Sequence, residues 1–303
     1  MVRAKMGRME RQRAIQGWLF VSPFVVGFLL FFAGPMLFAG YISLNIWPVL
    51  GAPTFVGLQN FQNMIGDDLF WTSLRITGIF TIFSVPLGMV VGLALAMLLN
   101  QKIKGLAFFR TLYYVPAVIT GVGLAVLWWM MFNTEYGLIN NALRLVGIDA
   151  IPWLTQTQWV LPALIIMSLW QVGGGVVIYL AGLQGIPSEL YEAAAIDGAS
   201  GWSKFIHITI PMLSPVLLFT FVLGVIGSFQ SFTNALVMTG GGPSEGSLFV
   251  VLYIYRNAWL YNQMGYAAAL SWALFVVILI VVLVIFRTTS ARIFYAGGSS
   301  RGV

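Results

Sequence analysis

Apolar stretches without charged residues recur six times along the chain, each separated from the next by a more polar segment. They lie at 18–39, 76–99, 111–132, 159–183, 213–237 and 267–286. A helix crosses the hydrocarbon core of a bilayer with about 20 residues, so each stretch is long enough to span it. The pattern predicts an all-α, polytopic membrane protein with six transmembrane helices. Because six crossings return the chain to its starting side, both termini lie on the same face.

The distribution of basic residues predicts which face that is. Lysine and arginine favour the cytoplasmic side of membrane proteins. If both termini are cytoplasmic, 12 of the 15 basic residues fall inside and only Arg75, Arg144 and Arg256 fall outside. The net charge of +6 therefore reflects membrane topology and not nucleic-acid binding. The predicted divisions are a cytoplasmic segment at 1–17, a transmembrane domain at 18–287 with a cytoplasmic loop at about 184–211, and a cytoplasmic tail at 288–303.

Composition excludes several kinds of chemistry. Only 8% of the residues are charged, against about 25% in soluble domains, and the chain has no cysteine and a single histidine, His207. Thiolate and multi-histidine metal sites are therefore excluded. None of the four lysines follows a glycine, so the phosphate-binding loop of ATPases is absent. We expect neither an enzyme nor a cofactor bound by this chain, and we interpret His207 as structural.

Uncharged polar residues stand out within the spans, where the sequence places no Asp, Glu, Lys, Arg or His. They are Thr120 in the third span, Trp170 and Gln171 in the fourth, and Ser228, Gln230, Ser231 and Asn234 in the fifth. Ser228, Ser231 and Asn234 recur near one helical turn and form a stripe. Such residues either join helices by hydrogen bonds or line a passage for a neutral, sugar-like solute. A proton-coupled transporter needs ionisable groups at this depth, and their absence argues against one.

Aromatic residues in the segments between the spans have the distribution of membrane anchors. Trp153, Trp159, Trp259 and Tyr261 lie in the predicted external loops. Tryptophan and tyrosine are enriched where a protein meets the lipid headgroups. We therefore expect these four rings to form an interfacial belt.

The segment 189–211 is a polar island between the fourth and fifth spans. Ser188 can cap a short alanine-rich helix over 190–196, which Gly198 and Gly201 end. A second short helix follows over 202–208 and stops before Pro211. By spacing alone, this loop either caps the helix bundle or presents a small apolar patch to a partner's groove.

The residues of this island resemble the EAA loop of ABC importer permeases, which docks on a cytoplasmic ATPase. The matching positions are Glu192, Ala193, Ala194, Asp197, Gly198, Ala199, Phe205, Ile208 and Pro211, with Ile210 in place of the usual leucine. The resemblance implies a type I importer permease fold. It also implies that the segment from Glu192 to Ala199 couples to the ATPase, with Glu192 and Gly198 seating the helix in the ATPase cleft.

Four further motifs are similar to those of carbohydrate importer permeases of the maltose-transporter type, and specifically of the first, MalF-like permease. They are FVGLQNF (55–61), FRTLYYVP (109–116), GLIN (137–140) and TGGGP (239–243), the last followed by Tyr253 and Tyr255. The resemblance implies a location in the prokaryotic inner membrane. It also implies a second permease, two copies of an ATPase that carry ATP and Mg²⁺, and an external solute-binding protein. In that family, polar residues near positions 228 and 231 contact the sugar.

Other functions remain open on the residues alone. A permease of the same class could carry another solute, such as glycerol phosphate or an amino acid. A secondary transporter would work without an ATPase and would respond to an ion gradient. A membrane scaffold would use the polar stripe only to join helices. Arg75 lies on the predicted external side, just before the second span, without an assigned role.

Overall fold

The described chain is mostly helical, as the sequence predicts. The computed structural model describes residues 7–48, 51–101, 105–119 and 121–289. In chain order the α-helices are α1 (Arg8–Phe28), α2 (Gly34–Ser43), α3 (Gln59–Ile65), α4 (Asp68–Leu99), α5 (Leu106–Val118), α6 (Val122–Met131), α7 (Leu138–Leu145), α8 (Thr157–Trp170), α9 (Gly173–Gln184), α10 (Ser188–Ile196), α11 (Gly201–Lys204), α12 (Ile210–Phe229), α13 (Thr233–Met238), α14 (Val250–Tyr255) and α15 (Met264–Thr289). The π-helical turns are Leu29–Ala33, Phe205–Thr209 and Arg256–Leu260, and one antiparallel pair joins β1 (Asn45–Ile46) to β2 (Thr54–Phe55). Residues 1–6 and 290–303 of the predicted cytoplasmic segments lie outside the described ranges.

Four helical segments of the described chain are long and apolar enough to cross a membrane. They are Arg8–Ser43, Asp68–Leu99, Gly201–Met238 and Met264–Thr289, and they contain the first, second, fifth and sixth predicted spans. A fifth crossing results if α8 and α9, which are bent by 48° at Gln171 and Val172, form one broken span. The polytopic prediction is confirmed, and the fourth span is bent just before a run of three glycines.

The third predicted span, 111–132, is not a continuous helix. α5 ends at Val118 and α6 begins at Val122. Gly121 lies between them with φ of 69° and ψ of −141°, a backbone conformation that glycine adopts readily and other residues do not. The ten residues of α6 extend only about 15 Å, half of the hydrocarbon core. The count of six spans therefore stays a prediction, as does the cytoplasmic side of the termini.

Contacts divide the chain into two compact units. The first contains residues up to Gly66 together with Arg256–Trp272, and the second contains Asp67–Tyr255 and the residues from Ala273 onward. In the first unit, the buried Asn60 side chain donates hydrogen bonds to the carbonyl oxygens of Ser43 and Asn45, at 2.8 and 3.0 Å. Asn60, from the FVGLQNF motif, thus joins α3 to the end of α2 and to β1. No side chain is buried along Arg8–Phe28, as expected of a helix that faces lipid.

The second unit is built on α4, α9 and α12, which pack against one another. Glycines allow the close approach: a Cβ atom on Gly182 would lie 2.8 Å from Leu213, and one on Gly224 would lie 2.9 Å from Val85. Small residues at membrane helix interfaces commonly have this role. The core of this unit therefore brings the fourth and fifth predicted spans against the second.

A single buried asparagine organises the loop that follows α6. The amide nitrogen of Asn140 lies 2.9 Å from the Ile151 carbonyl oxygen and 3.3 Å from those of Asn133 and Thr134. Its oxygen accepts hydrogen bonds from Ile151 N and Trp153 Nε1. Trp153 is buried in this loop, so its expected role as an interfacial anchor is wrong; Trp259 and Tyr261 are exposed.

Replacing Asn140 is expected to destabilise the protein, because the neighbouring backbone groups lose their partner inside a buried site. Asn140→Ala should lower the free energy of unfolding by about 1–3 kcal/mol. Asn140→Asp should be at least as damaging, since it sets a carboxylate against three carbonyl oxygens. Thermal unfolding of the purified protein in detergent measures the effect. The exposed neighbour Asn141→Ala is the control, and an equal loss of stability there would contradict this role of Asn140.

Candidate translocation cavity and coupling loop

A cavity of about 310 Å³ lies within the second unit, between α4, the bent pair α8 and α9, and α12 with α13. Its polar lining consists of Ser84, Ser168, Tyr179, Thr220, Ser228, Ser231 and Asn234. Its remaining lining is apolar or glycine, and none of the described residues that line it carries a charge. The volume falls within the range of small-molecule sites. The cavity therefore offers hydroxyl and amide groups without a charged partner.

The predicted polar stripe converges on this cavity, but not along one helix. α12 ends at Phe229, residues 230–232 are not helical, and α13 begins at Thr233. Ser228 lies before this break, Ser231 within it and Asn234 after it, and all three line the cavity. The prediction of a continuous helical stripe is therefore wrong, although its three members share one wall. The break also turns polar side chains of consecutive segments toward the same space.

Ser228 takes part in helix contacts as well as in the lining. Its hydroxyl lies 2.8 Å from Thr81 Oγ1 and 2.9 Å from the Val225 carbonyl oxygen, and its one hydrogen can serve either acceptor. The contact with Thr81 joins α12 to α4. Joining helices and lining the cavity are thus combined in this residue.

Ser231 and Asn234 differ from Ser228 in their hydrogen bonding. Their side chains are half-buried, and within the described ranges neither makes a hydrogen bond. Ser84, on the opposite wall in α4, likewise has no side-chain partner among the described residues. A polar group at this depth without a protein partner is suited to bind water or a polar solute.

Tyr179 and Thr220 form a second polar element of the lining. The Tyr179 hydroxyl donates to Thr220 Oγ1 at 3.0 Å, and Thr220 in turn donates to the Val216 carbonyl oxygen at 2.9 Å. The ring stands close to Gly92, where a Cβ atom would lie only 3.1 Å from it. Tyr179 and Thr220 therefore contribute to the cavity lining an aromatic ring and two hydroxyl groups that are held together by a hydrogen bond.

Three of the other predicted pathway residues lie outside the lining of this cavity. The Gln171 amide donates to the Ile119 carbonyl oxygen at 3.0 Å and so joins the bend between α8 and α9 to the end of α5. The ring of Trp170 packs edge-on against Trp128, with centroids 5.8 Å apart. Gln230 is exposed at the end of α12. Thr120 lies outside the described residues.

Four polar lining residues were not among the sequence candidates: Ser84, Ser168, Tyr179 and Thr220. Ser84 could have been found, because it continues a hydroxyl series of Ser73, Thr77 and Thr81 at helical spacing along α4. Tyr179 and Thr220 are isolated in their spans, and no spacing marks them. Only the packing of α9 against α12 makes them neighbours.

The coupling-loop residues form a short exposed helix with a well-defined end. Gly198 has φ of 77°, and the amide groups of Gly198 and Ala199 donate to the carbonyl oxygens of Ala195 and Ala194. This is the Schellman arrangement, in which glycine supplies the left-handed residue after the helix. The backbone conformation therefore favours glycine at 198; space does not, since no atom lies within 4 Å of a Cβ placed there.

The surface of this loop combines acidic and large apolar side chains. Glu192, Ala193, Asp197 and Gly198 are exposed, while Ala194 and Ala199 are half-buried. The side chains of Ile196 and Trp202 are 88% and 70% exposed. Apolar side chains exposed to this degree on a loop outside the spans are typical of a contact surface.

The second helix of the island runs on into the fifth span, and Pro211 does not stop it. α11 begins at Gly201 after Ser200, whose side chain accepts a hydrogen bond from Ser203 N. The π-helical turn Phe205–Thr209 then leads directly into α12. Proline removes one helical hydrogen bond and its ring crowds the preceding turn, and the wider turn before Pro211 accommodates both effects. Tyr191 ties α10 to this helix through a hydrogen bond of 2.9 Å between its hydroxyl and Thr209 Oγ1.

Comparison with protein families matches residues 84–294 to a model described as "Binding-protein-dependent transport system inner membrane component". The matched range contains the coupling loop and all the described lining residues of the cavity except Phe80. The chain is also 39% identical to the probable ABC transporter permease protein YesP of Bacillus subtilis, with 96% of each chain covered. It is 35% identical to the lactose transport system permease protein LacF of Rhizobium radiobacter, over 94% of this chain and 96% of LacF.

Among solved structures, the chain resembles a bacterial ABC transporter involved in the import of the acidic polysaccharide alginate. The TM-score is 0.79 at 24% identity, with 92% of this chain and 96% of that chain covered, so the likeness supports the fold. The type I importer permease fold and the multi-pass arrangement expected from the sequence are therefore confirmed. The chain belongs to the family of binding-protein-dependent transport system inner membrane components, the permease subunits of ABC importers.

Proposed function

We propose that this permease forms the inner-membrane pathway for a neutral sugar, either a monosaccharide or an oligosaccharide. An external solute-binding protein delivers the sugar, a second permease completes the pathway, and two copies of a cytoplasmic ATPase bind and hydrolyse ATP with Mg²⁺. The observation that carries the proposal is a cavity whose described lining is uncharged, and in which Ser231 and Asn234 present polar groups that have no partner among the described residues.

The lining is chemically suited to sugar hydroxyl groups, which both donate and accept hydrogen bonds. Serine and asparagine side chains also offer both functions. An anionic solute such as glycerol phosphate would find no basic partner among the described lining residues, and an unpaired charge is costly to bury. The similarity to a permease named for lactose transport favours the same class of solute.

The coupling loop supplies a mechanical link between the proposed ATPase and the cavity. Gly201 and Thr220 belong to one helical segment and are separated along its axis by about 28 Å. Movement of α10 in the ATPase cleft would be carried by this segment, because Tyr191 ties the two together. ATP binding would then shift the population from inward-facing to outward-facing states, and hydrolysis would return it. This chain itself contributes no covalent chemistry.

The pathway assignment predicts that Ser231→Ala and Asn234→Ala slow sugar uptake without loss of assembly. Each change removes a hydrogen bond to the solute, which corresponds to about a fivefold loss of solute affinity or uptake efficiency. Uptake of radiolabelled sugar into proteoliposomes that contain the whole importer measures the effect. Gln230→Ala, at an exposed site outside the lining, is the control. Normal uptake by the double variant would contradict the pathway.

The coupling assignment predicts that Glu192→Ala weakens binding of the ATPase. Glu192 is exposed and makes no ion pair with the described chain, so its carboxylate is free to bind the partner. Loss of a charged hydrogen bond should weaken association about tenfold or more. Titration of the purified ATPase against permease in nanodiscs measures the affinity. Glu189→Ala, in the first turn of the same helix, is the control, and equal losses in both variants would contradict a specific contact at 192.

The end of the coupling helix gives a further prediction. Gly198→Ala should cost about 1–2 kcal/mol, because alanine is strained at this positive φ, whereas asparagine adopts it more readily. Uptake and ATPase binding are therefore expected to fall in Gly198→Ala and to be largely kept in Gly198→Asn. If the asparagine variant is as impaired as the alanine variant, the cause is the added side chain in the partner's cleft and not the backbone.

A further inference from the structure

A second cavity, of about 410 Å³, lies in the same unit between the end of α4, α5 and α9. Arg110, Thr111 and Tyr113 of the FRTLYYVP motif contribute to its wall, and the proposed transport mechanism assigns no role to them. None of the described residues that line this cavity also lines the uncharged one. The two cavities are therefore separate, and they differ in charge.

Arg110 gives this second cavity a positive charge. It is the one charged side chain among the described lining residues, and it makes no ion pair or hydrogen bond with any residue that the structure describes. The guanidinium group presents five donors in a planar fork that matches phosphate or carboxylate oxygens. Thr111 and Tyr113, whose side chains carry hydroxyl groups, line the same cavity. This part of the cavity is suited to an anionic, oxygen-rich group.

The wall contributed by α9 is apolar. Val176, Val177 and Leu180 line the cavity with aliphatic side chains. Along the helix, the lining extends from Gly173 to Leu180, which is about 10 Å. An occupant that satisfies both walls has an anionic group at one part and a hydrocarbon chain at another.

The position in the bilayer identifies the class of such a molecule. Arg110 lies in the second turn of α5, and Leu180 lies one turn before the end of α9. Both positions border segments that the charge distribution places on the cytoplasmic side. Headgroups of anionic lipids attract basic side chains at this face of the membrane. We propose that this cavity binds an anionic phospholipid of the inner leaflet, with its phosphate at Arg110 and an acyl chain against Val176, Val177 and Leu180.

Lipid titration of the intact importer tests the site. The complex with all its subunits is delipidated in detergent, and native mass spectrometry then follows the binding of added phosphatidylglycerol or phosphatidylcholine. We expect phosphatidylglycerol to bind more tightly than phosphatidylcholine. Arg110→Gln should weaken phosphatidylglycerol binding about fivefold, which is the effect expected of one basic residue at the membrane surface. Val177→Phe narrows the cavity at its apolar wall and keeps Arg110, and it should weaken phosphatidylglycerol binding as well.

A matched charge variant distinguishes a specific lipid site from a general attraction of lipid to membrane charge. Arg287→Gln removes an exposed charge from the last turn of α15, outside the cavity, and should leave the affinity unchanged. An equal loss in that variant would overturn the proposal. If glycerol phosphate displaced the bound lipid and bound as tightly as the lipid does, the cavity would be a site for soluble anions instead. Unchanged lipid binding in Arg110→Gln or Val177→Phe, or loss of the second permease in Arg110→Gln, would also overturn it.

Discussion

Within a bilayer the surrounding hydrocarbon offers no hydrogen-bond partners, so each polar group at depth depends on the protein or on a solute. Along α4, the hydroxyl groups of Ser73, Thr77 and Thr81 each donate to a carbonyl oxygen three or four residues earlier. Thr77 Oγ1 also accepts a hydrogen bond from Val250 N, and Thr81 contacts Ser228. These satisfied groups join helices. Polar groups left without such partners are found in the lining of the cavity, where a solute can satisfy them.

The same constraint explains where the helices break. Interruptions at Gly121, at Gln171 and at residues 230–232 free backbone groups that would be costly if they faced lipid. The Gln171 side chain, at the break between α8 and α9, donates a hydrogen bond to the carbonyl oxygen of Ile119, at the break between α5 and α6. The break at 230–232 lies beside the cavity, where its backbone is not exposed to hydrocarbon alone. Two of these three breaks border the proposed pathway, because Val172 and Ser231 line the cavity.

The local structure of the coupling loop could be predicted from sequence, whereas its binding to an ATPase stays a prediction. The coupling loop has its own local signals, with Glu192 on an exposed helix and Gly198 at a left-handed turn, and both follow from nearest neighbours in sequence. The cavity was only partly predicted. Ser228, Ser231 and Asn234 were candidates because they recur near one helical turn, yet the structure brings them together through a break and not through that periodicity. Trp153 was misplaced because aromatic composition does not distinguish a buried ring from an interfacial one.

Sequence alone determined the membrane class, most of the spans and the coupling motif, because long apolar runs and local turn chemistry depend on residues close together in the chain. Tertiary structure decided which polar side chains share a space. Tyr179 and Thr220 are 41 positions apart, and Ser228 and Thr81 are 147 apart. Their contacts depend on close packing of α4, α9 and α12 at glycines. A hydroxyl group looks the same in sequence whether it joins two helices or faces a cavity, since the difference lies only in what packs beside it.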